Sequence, residues 1–97
     1  MRLGGRISAA IEVLDDMRSR NRPASEALRD WGNSHRFAGS RDRNAIGNLV
    51  YDSLRQYASN AWAMDDDAPH PVVFATLVRQ WNMTPDEIAE VLDGDKF

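Results

Sequence analysis

Arginine is the side chain in this sequence best equipped to bind something: it supplies eleven of the twelve basic residues. Arg2 and Arg6 stand at the start of one helical pattern, and Arg36, Arg41 and Arg43 flank the start of another. A helix N-terminus presents free N–H groups and the positive end of the dipole, so arginines placed there make a ready phosphate site. The guanidinium adds a planar bidentate fork that also stacks on bases, and Phe37 or Trp31 nearby would extend such a stack. A blander reading stands beside this one. Arg2, Arg6, Arg36 and Arg41 would then be solvated surface, and Arg43 and Arg55 would pair on a helix face with an acid lining the core.

Other chemistry is poorly supplied. With no cysteine, disulfide frameworks, zinc ribbons and cysteine nucleophiles are excluded together. His35 lies in a loop between Ser34 and Arg36 and reads as a local cap or surface group, since no serine–acid arrangement accompanies it. His70, between Pro69 and Pro71 at a helix start, reads as structural. Gly4-Gly5 and the Gly39–Gly47 pair fit neither a phosphate loop nor a dinucleotide fingerprint, because no strand precedes them. Asp65-Asp66-Asp67 lacks the alternating spacing and glycine of a calcium loop, and reads as a cap for the helix that follows. The remaining carboxylates gather at helix ends, which suits capping better than a tuned acid–base pair. The chain by itself is therefore not expected to be an enzyme, nor to carry a cofactor or a metal.

The elements that would position the arginines are helical. Ile7, Ala10, Ile11, Leu14 and Met17 predict a first helix from about Arg6 to Ser19. Pro23 suits the first position of a second helix with the stripe Ala24, Ala27, Leu28 and Trp31, and Gly32 is expected to stop it. A long third helix, capped by Ser40 and with Asp42 in its first turn, carries Ile46, Leu49, Val50, Leu54, Tyr57, Ala58, Ala61 and Trp62 on one face. A fourth begins between Pro69 and Pro71 and packs through Phe74, Leu77, Val78 and Trp81. The fifth has Thr84 as N-cap, Pro85 at N1, Asp86 and Glu87 in the first turn, and Gly94 at its end. Trp31, Trp62 and Trp81 are all expected in the core. The fold class is all-α, about five helices around a long central third.

Ninety-seven residues make one domain with a thin core, burying a little over ~60% of the unfolded surface. Apolar residues are 42% and charged residues 28%, ordinary for a globule and against a disordered tail. The longest apolar runs are four residues, whereas a membrane span needs about 20. The N-terminus has no apolar stretch of a secretory signal, so a cytoplasmic chain without a membrane partner is expected. The net charge of -3 hides a division. Residues 1–60 carry ten arginines against seven acids, while residues 61–97 carry two bases against eight acids. Either a basic face meets a polyanion, an acidic half meets something basic, or both are solvated surface.

The segment Arg36-Phe37-Ala38-Gly39-Ser40-Arg41-Asp42-Arg43, continuing through Leu49-Val50-Tyr51-Asp52-Ser53-Leu54-Arg55, resembles the G-x-x-D-R … L-V-Y-x-x-L-R pattern of NusB-like domains. More closely, it is similar to the N-terminal region of the Sun/Fmu (RsmB-type) bacterial ribosomal RNA cytosine-C5 methyltransferases. Arg6-Ile7-Ser8-Ala9-Ala10-Ile11-Glu12-Val13-Leu14 and Trp81-Asn82-Met83-Thr84-Pro85-Asp86-Glu87-Ile88 fit that region too, so the likeness covers nearly the whole chain. It implies a NusB-like orthogonal helical bundle that binds RNA or positions it. Gly39, Asp42, Arg43, Tyr51 and Arg55 match the pattern, with Arg43 the one expected to face RNA. In that family a separate C-terminal domain binds S-adenosylmethionine and carries two cysteines for methyl transfer. None of those residues has a counterpart here, so the chain reads as an N-terminal piece whose partners would be RNA, expected to be ribosomal, and the methyltransferase domain. Alternative readings are a helical protein-interaction module, with a homodimer as one form, and a free-standing transcription-antitermination factor.

Overall fold

Apolar side chains at three- and four-residue spacing build every element of the computed structural model, which describes residues 1–93. Six helices follow in chain order: α1 (Leu3–Arg20), α2 (Ala24–Ser34), α3 (Ser40–Arg55), α4 (Tyr57–Met64), α5 (Pro69–Arg79) and α6 (Pro85–Asp93). The chain is all-α, with no strand among the described residues. Gly94, expected to end the last helix, lies outside them.

The core is a single cluster. Ile7, Ala10, Val13 and Leu14 of α1 pack against Ile46, Leu49 and Val50 of α3, and Ala27, Val73, Leu77 and Ile88 bring in α2, α5 and α6. Ala9 and Ala10 keep one stretch of α1 narrow, and α1 meets α3 more extensively than any other pair meets. With 18 residues α1 is also the longest helix, so it, rather than a long third helix, is the centre of the bundle.

The expected third helix is in fact two. Gln56 leaves helical geometry (φ -113°, ψ 19°), and α4 sets off in a new direction to pack on α5. Asn60 holds this packing together. Fully buried, it donates to Thr76 Oγ1 at 3.0 Å and Gln80 Oε1 at 2.9 Å, and accepts from Arg79 at 2.9 Å. Helical register continued past the break keeps Asn60, two turns beyond buried Ser53, on the inward face. It sets Trp62 on the opposite face, where it is 87% exposed, so Trp62 is no core residue. Trp31 and Trp81 do pack against the core, and their indole N–H groups donate to Glu12 at 3.0 Å and to Asp52 at 2.8 Å.

Several boundaries also shift. Pro23 occupies the N-cap of α2 rather than its first turn, and α2 runs on through Gly32 to Ser34. Gly32 is buried under the Arg43 side chain, whose Nε would lie 3.6 Å from an added Cβ. Its role is close approach, not termination. Gly39, not Ser40, caps α3, and its N–H donates to Asp42 Oδ2 at 3.3 Å. Asp66 accepts the Ala68 N–H at 2.9 Å just before α5, and Asp65 closes α4 in the left-handed conformation (φ 52°) that aspartate tolerates. Thr84 and Glu87 form the reciprocal capping box of α6, each bond 3.1 Å long.

Candidate nucleic-acid interface

The N-termini of α1 and α3 come together at one end of the bundle. Arg6 of α1 donates from Nε to Asp42 Oδ1 at 3.0 Å, and its terminal nitrogen reaches the same oxygen at 2.9 Å. The Met1 ammonium lies 3.8 Å from Asp42 Oδ2. The Arg6 hydrogen bond, then the Gly39 N–H and the two positive charges, hold the Asp42 carboxyl below the ordinary aspartate value, although its partial burial pulls the other way.

The loop between α2 and α3 closes over this junction. Arg43 donates from Nε to the Ala38 carbonyl at 3.1 Å while its stem covers Gly32, so it ties the loop to α3. His35 donates from Nδ1 to the Trp31 carbonyl at 2.8 Å; a carbonyl only accepts, which fixes the proton on that nitrogen. His35 thus caps α2 locally, and its ring stacks on Trp31 with centroids 4.2 Å apart and planes 8° from parallel. Phe37 stands edge-on to His35 at 5.9 Å and is 73% exposed.

The five arginines singled out from the sequence therefore divide. Arg6 and Arg43 are engaged inside the chain. Arg2, Arg36 and Arg41 are exposed and form no ion pair or hydrogen bond among the described residues. Most other arginines are also engaged. Arg18 meets Asp67 and Tyr57, Arg20 meets Asp16, Arg22 meets Asp16, Glu26 and Asp30, and Arg55 meets Asp52. Arg79 bonds Asn60 and Ser59. Apart from Arg29, exposed on α2 without a hydrogen bond or ion pair among the described residues, the free guanidinium groups thus sit at two adjoining helix starts and in the loop beside the exposed Phe37. Fixed positive charge next to an open aromatic ring is the combination that holds a nucleic-acid strand through phosphates and a stacked base.

Sequence reasoning passed over Glu12, which reads as one more solvated acid on α1. In the fold, Glu12, Trp31, His35 and Phe37 line a cleft of about 200 Å³ under the α2–α3 loop. Only the packing of α2 across α1 brings them together, and no spacing in the chain announces it. A larger groove of about 430 Å³ continues between α1 and α2, where Asp16, Asp30 and Arg22 are already paired with one another. Among the described residues no group of three or more histidines and carboxylates is arranged to hold a metal, and no helix is long and apolar enough to cross a membrane.

The class that this fold defines is an all-α helical bundle with a basic, aromatic end. No family model, no curated protein and no solved structure matches the chain.

Proposed function

We propose that this chain is the RNA-positioning domain of a ribosomal RNA cytosine-C5 methyltransferase. The observation that carries the reading is the division of the arginines. Those with partners are tied to other groups of the chain. Of the four without one among the described residues, three, Arg2, Arg36 and Arg41, gather with exposed Phe37 at one end, the fourth being Arg29 on α2. The resemblance of Arg36–Arg55 to the NusB-like part of Sun/Fmu enzymes supports the same reading. On it, phosphate contacts from this end orient the RNA, and the chain's own residues contribute position and charge rather than bond-making. S-adenosylmethionine and the methyl transfer itself belong to a separate domain, and the work is done in the cytoplasm on ribosomal RNA. Arg6 and Arg43 then serve as fasteners of the loop that carries Arg36 and Phe37.

The test is binding of labelled single-stranded fragments of ribosomal RNA, measured by fluorescence anisotropy across a salt series. Three neutralised phosphates give a slope of log K against log salt of about -2, and changing Arg36 and Arg41 together to alanine reduces it to about -0.7. A flat salt response, or binding unaltered in the double variant, defeats the reading.

A second reading rests on Trp62. This indole is 87% exposed at the far end of α4, beside partly exposed Met64 and the acidic Asp65-Asp66-Asp67. Large exposed aromatics mark interaction surfaces, so a protein-docking module, including a homodimer, is the alternative. Light scattering separates the two: a tight dimer with no RNA affinity favours docking, and a monomer that binds RNA favours the first reading.

A further inference from the structure

We propose that the cleft under the α2–α3 loop reads one unpaired guanine of a single-stranded RNA. This inference rests on the RNA reading above and names the base that its site takes. Glu12 is the reading group. Its Oε2 accepts the Trp31 indole N–H at 3.0 Å, which holds the carboxylate in place, and Glu12 forms no ion pair among the described residues. Trp31 is itself fixed by its stack on His35, and His35 by its bond to the Trp31 carbonyl. The reading carboxylate and the aromatic wall are thus one preorganised unit.

The chemistry of the opening selects the ligand. At about 200 Å³ the cleft falls below the roughly 300–1,000 Å³ of drug-sized sites, which suits a single flat heterocycle. Phe37, exposed at its edge, offers a face for stacking, and stacking tolerates any base. Discrimination therefore falls to Glu12. An ionised carboxylate only accepts hydrogen bonds, so it favours a base edge with two adjacent donors. Guanine presents N1–H and N2–H side by side. Cytosine and adenine each set a ring acceptor beside their amino group, and uracil flanks its single N–H with two carbonyl oxygens. Ser8 and Gly5 line the inner wall, and Gly5 has no side chain to narrow it. Arg2, next in the chain to the lining residue Met1, and Arg36, between the lining residues His35 and Phe37, are exposed and offset the carboxylate's charge toward phosphate. A base pair would occupy the donors that Glu12 needs, so the ligand is single-stranded.

The experiment compares labelled decauridylate with the same oligomer carrying one central guanine, using the 97-residue chain at fixed salt. The guanine oligomer is expected to bind about tenfold more tightly, as one good bidentate pair discriminates by about that much. Glu12→Gln should abolish the preference, because the amide sets a donor beside an acceptor and no longer favours two adjacent donors. Phe37→Ala should weaken both oligomers about tenfold, the cost of one lost stack. Both side chains are exposed, and an unchanged helical circular dichroism spectrum confirms that the variants fold. Salt-dependent binding without a guanine preference, or a preference that survives Glu12→Gln, overturns the guanine site and leaves the RNA reading standing. No binding of either oligomer or of ribosomal RNA fragments overturns both.

Discussion

Arg6 and Asp42 are 36 residues apart in the chain, yet the Arg6 Nε lies 3.0 Å from Asp42 Oδ1, and that contact fastens the N-terminus of α1 to the N-terminus of α3. Asp42 also accepts the Gly39 N–H, so one carboxylate serves a helix cap and an interhelix bond together. Consequences of this and other shared contacts can be tested.

The first concerns pH. Because folding lowers the Asp42 pKa, its contribution to stability is fully present above the ordinary aspartate value of about 3.9 and is lost as pH falls through the lower folded value. Asp42→Asn keeps the shape but removes the charge. It should melt below the parent at about pH 7, and the gap should narrow between about pH 4 and pH 2, where the parent carboxylate is itself protonated. Thermal melts by circular dichroism at both ends of that range check this. A gap that stays constant would mean that the charge is irrelevant.

Arg36 and Arg43 should behave as opposites although seven residues separate them. Arg36 has no partner within the described residues, so Arg36→Ala should leave urea unfolding within about 0.5 kcal/mol of the parent and weaken RNA binding. Arg43 bonds the Ala38 carbonyl and covers Gly32, so Arg43→Ala should cost about 1 kcal/mol of stability. Its RNA affinity should fall only as far as the loop loosens. Equal effects of the two variants on unfolding would count against this division.

Asn60 carries a larger share of the α4–α5 contact. Asn60→Ala removes two donations and one acceptance inside the bundle and leaves Thr76 and Arg79 without those partners. Thr76 Oγ1 still donates to the Val72 carbonyl and Arg79 is exposed, so the cost is that of the lost hydrogen bonds. At about 1 kcal/mol for each buried one, that is a large fraction of the stability of so small a domain. Urea denaturation followed by circular dichroism should show the midpoint falling. A shift of under about 0.5 kcal/mol would mean that the network is not what holds α4 on α5.

The same residue explains what was legible in the sequence and what was not. The stripes of α1, α2 and α5 could be read directly, because each buries apolar side chains at helical spacing. The cap of α6 was equally plain, since Thr84, Pro85 and Glu87 act on their immediate neighbours. The break after α3 could not be read. Beyond it α4 is held on α5 by a polar side chain satisfied by residues 16 and 20 positions away, and Asn60 taken alone reads as a solvated position. The candidate site divides in the same manner. Arginines at helix starts are visible as local patterns, but whether a guanidinium is free or occupied depends on distant partners such as Asp42. Glu12 becomes interesting only once α2 lays Trp31 beside it.

The capping box of α6 yields the last prediction. Thr84 Oγ1 accepts the Glu87 N–H, and the Glu87 carboxylate accepts the Thr84 N–H, each at 3.1 Å. Removing the hydroxyl with Thr84→Ala should cost about 1 kcal/mol. The loss should not spread evenly, because α6 touches the bundle mainly through Ile88, buried against the α1–α5 core, with Val91 and Leu92 partly covered. A short terminal helix held by so few apolar contacts opens separately from the rest. Amide hydrogen exchange should therefore accelerate across Glu87–Leu92, by about fivefold if the cap contributes about 1 kcal/mol, while the amides of α1 and α3 keep their protection. Uniform acceleration through α1 and α3 would show instead that α6 and the core unfold as one unit.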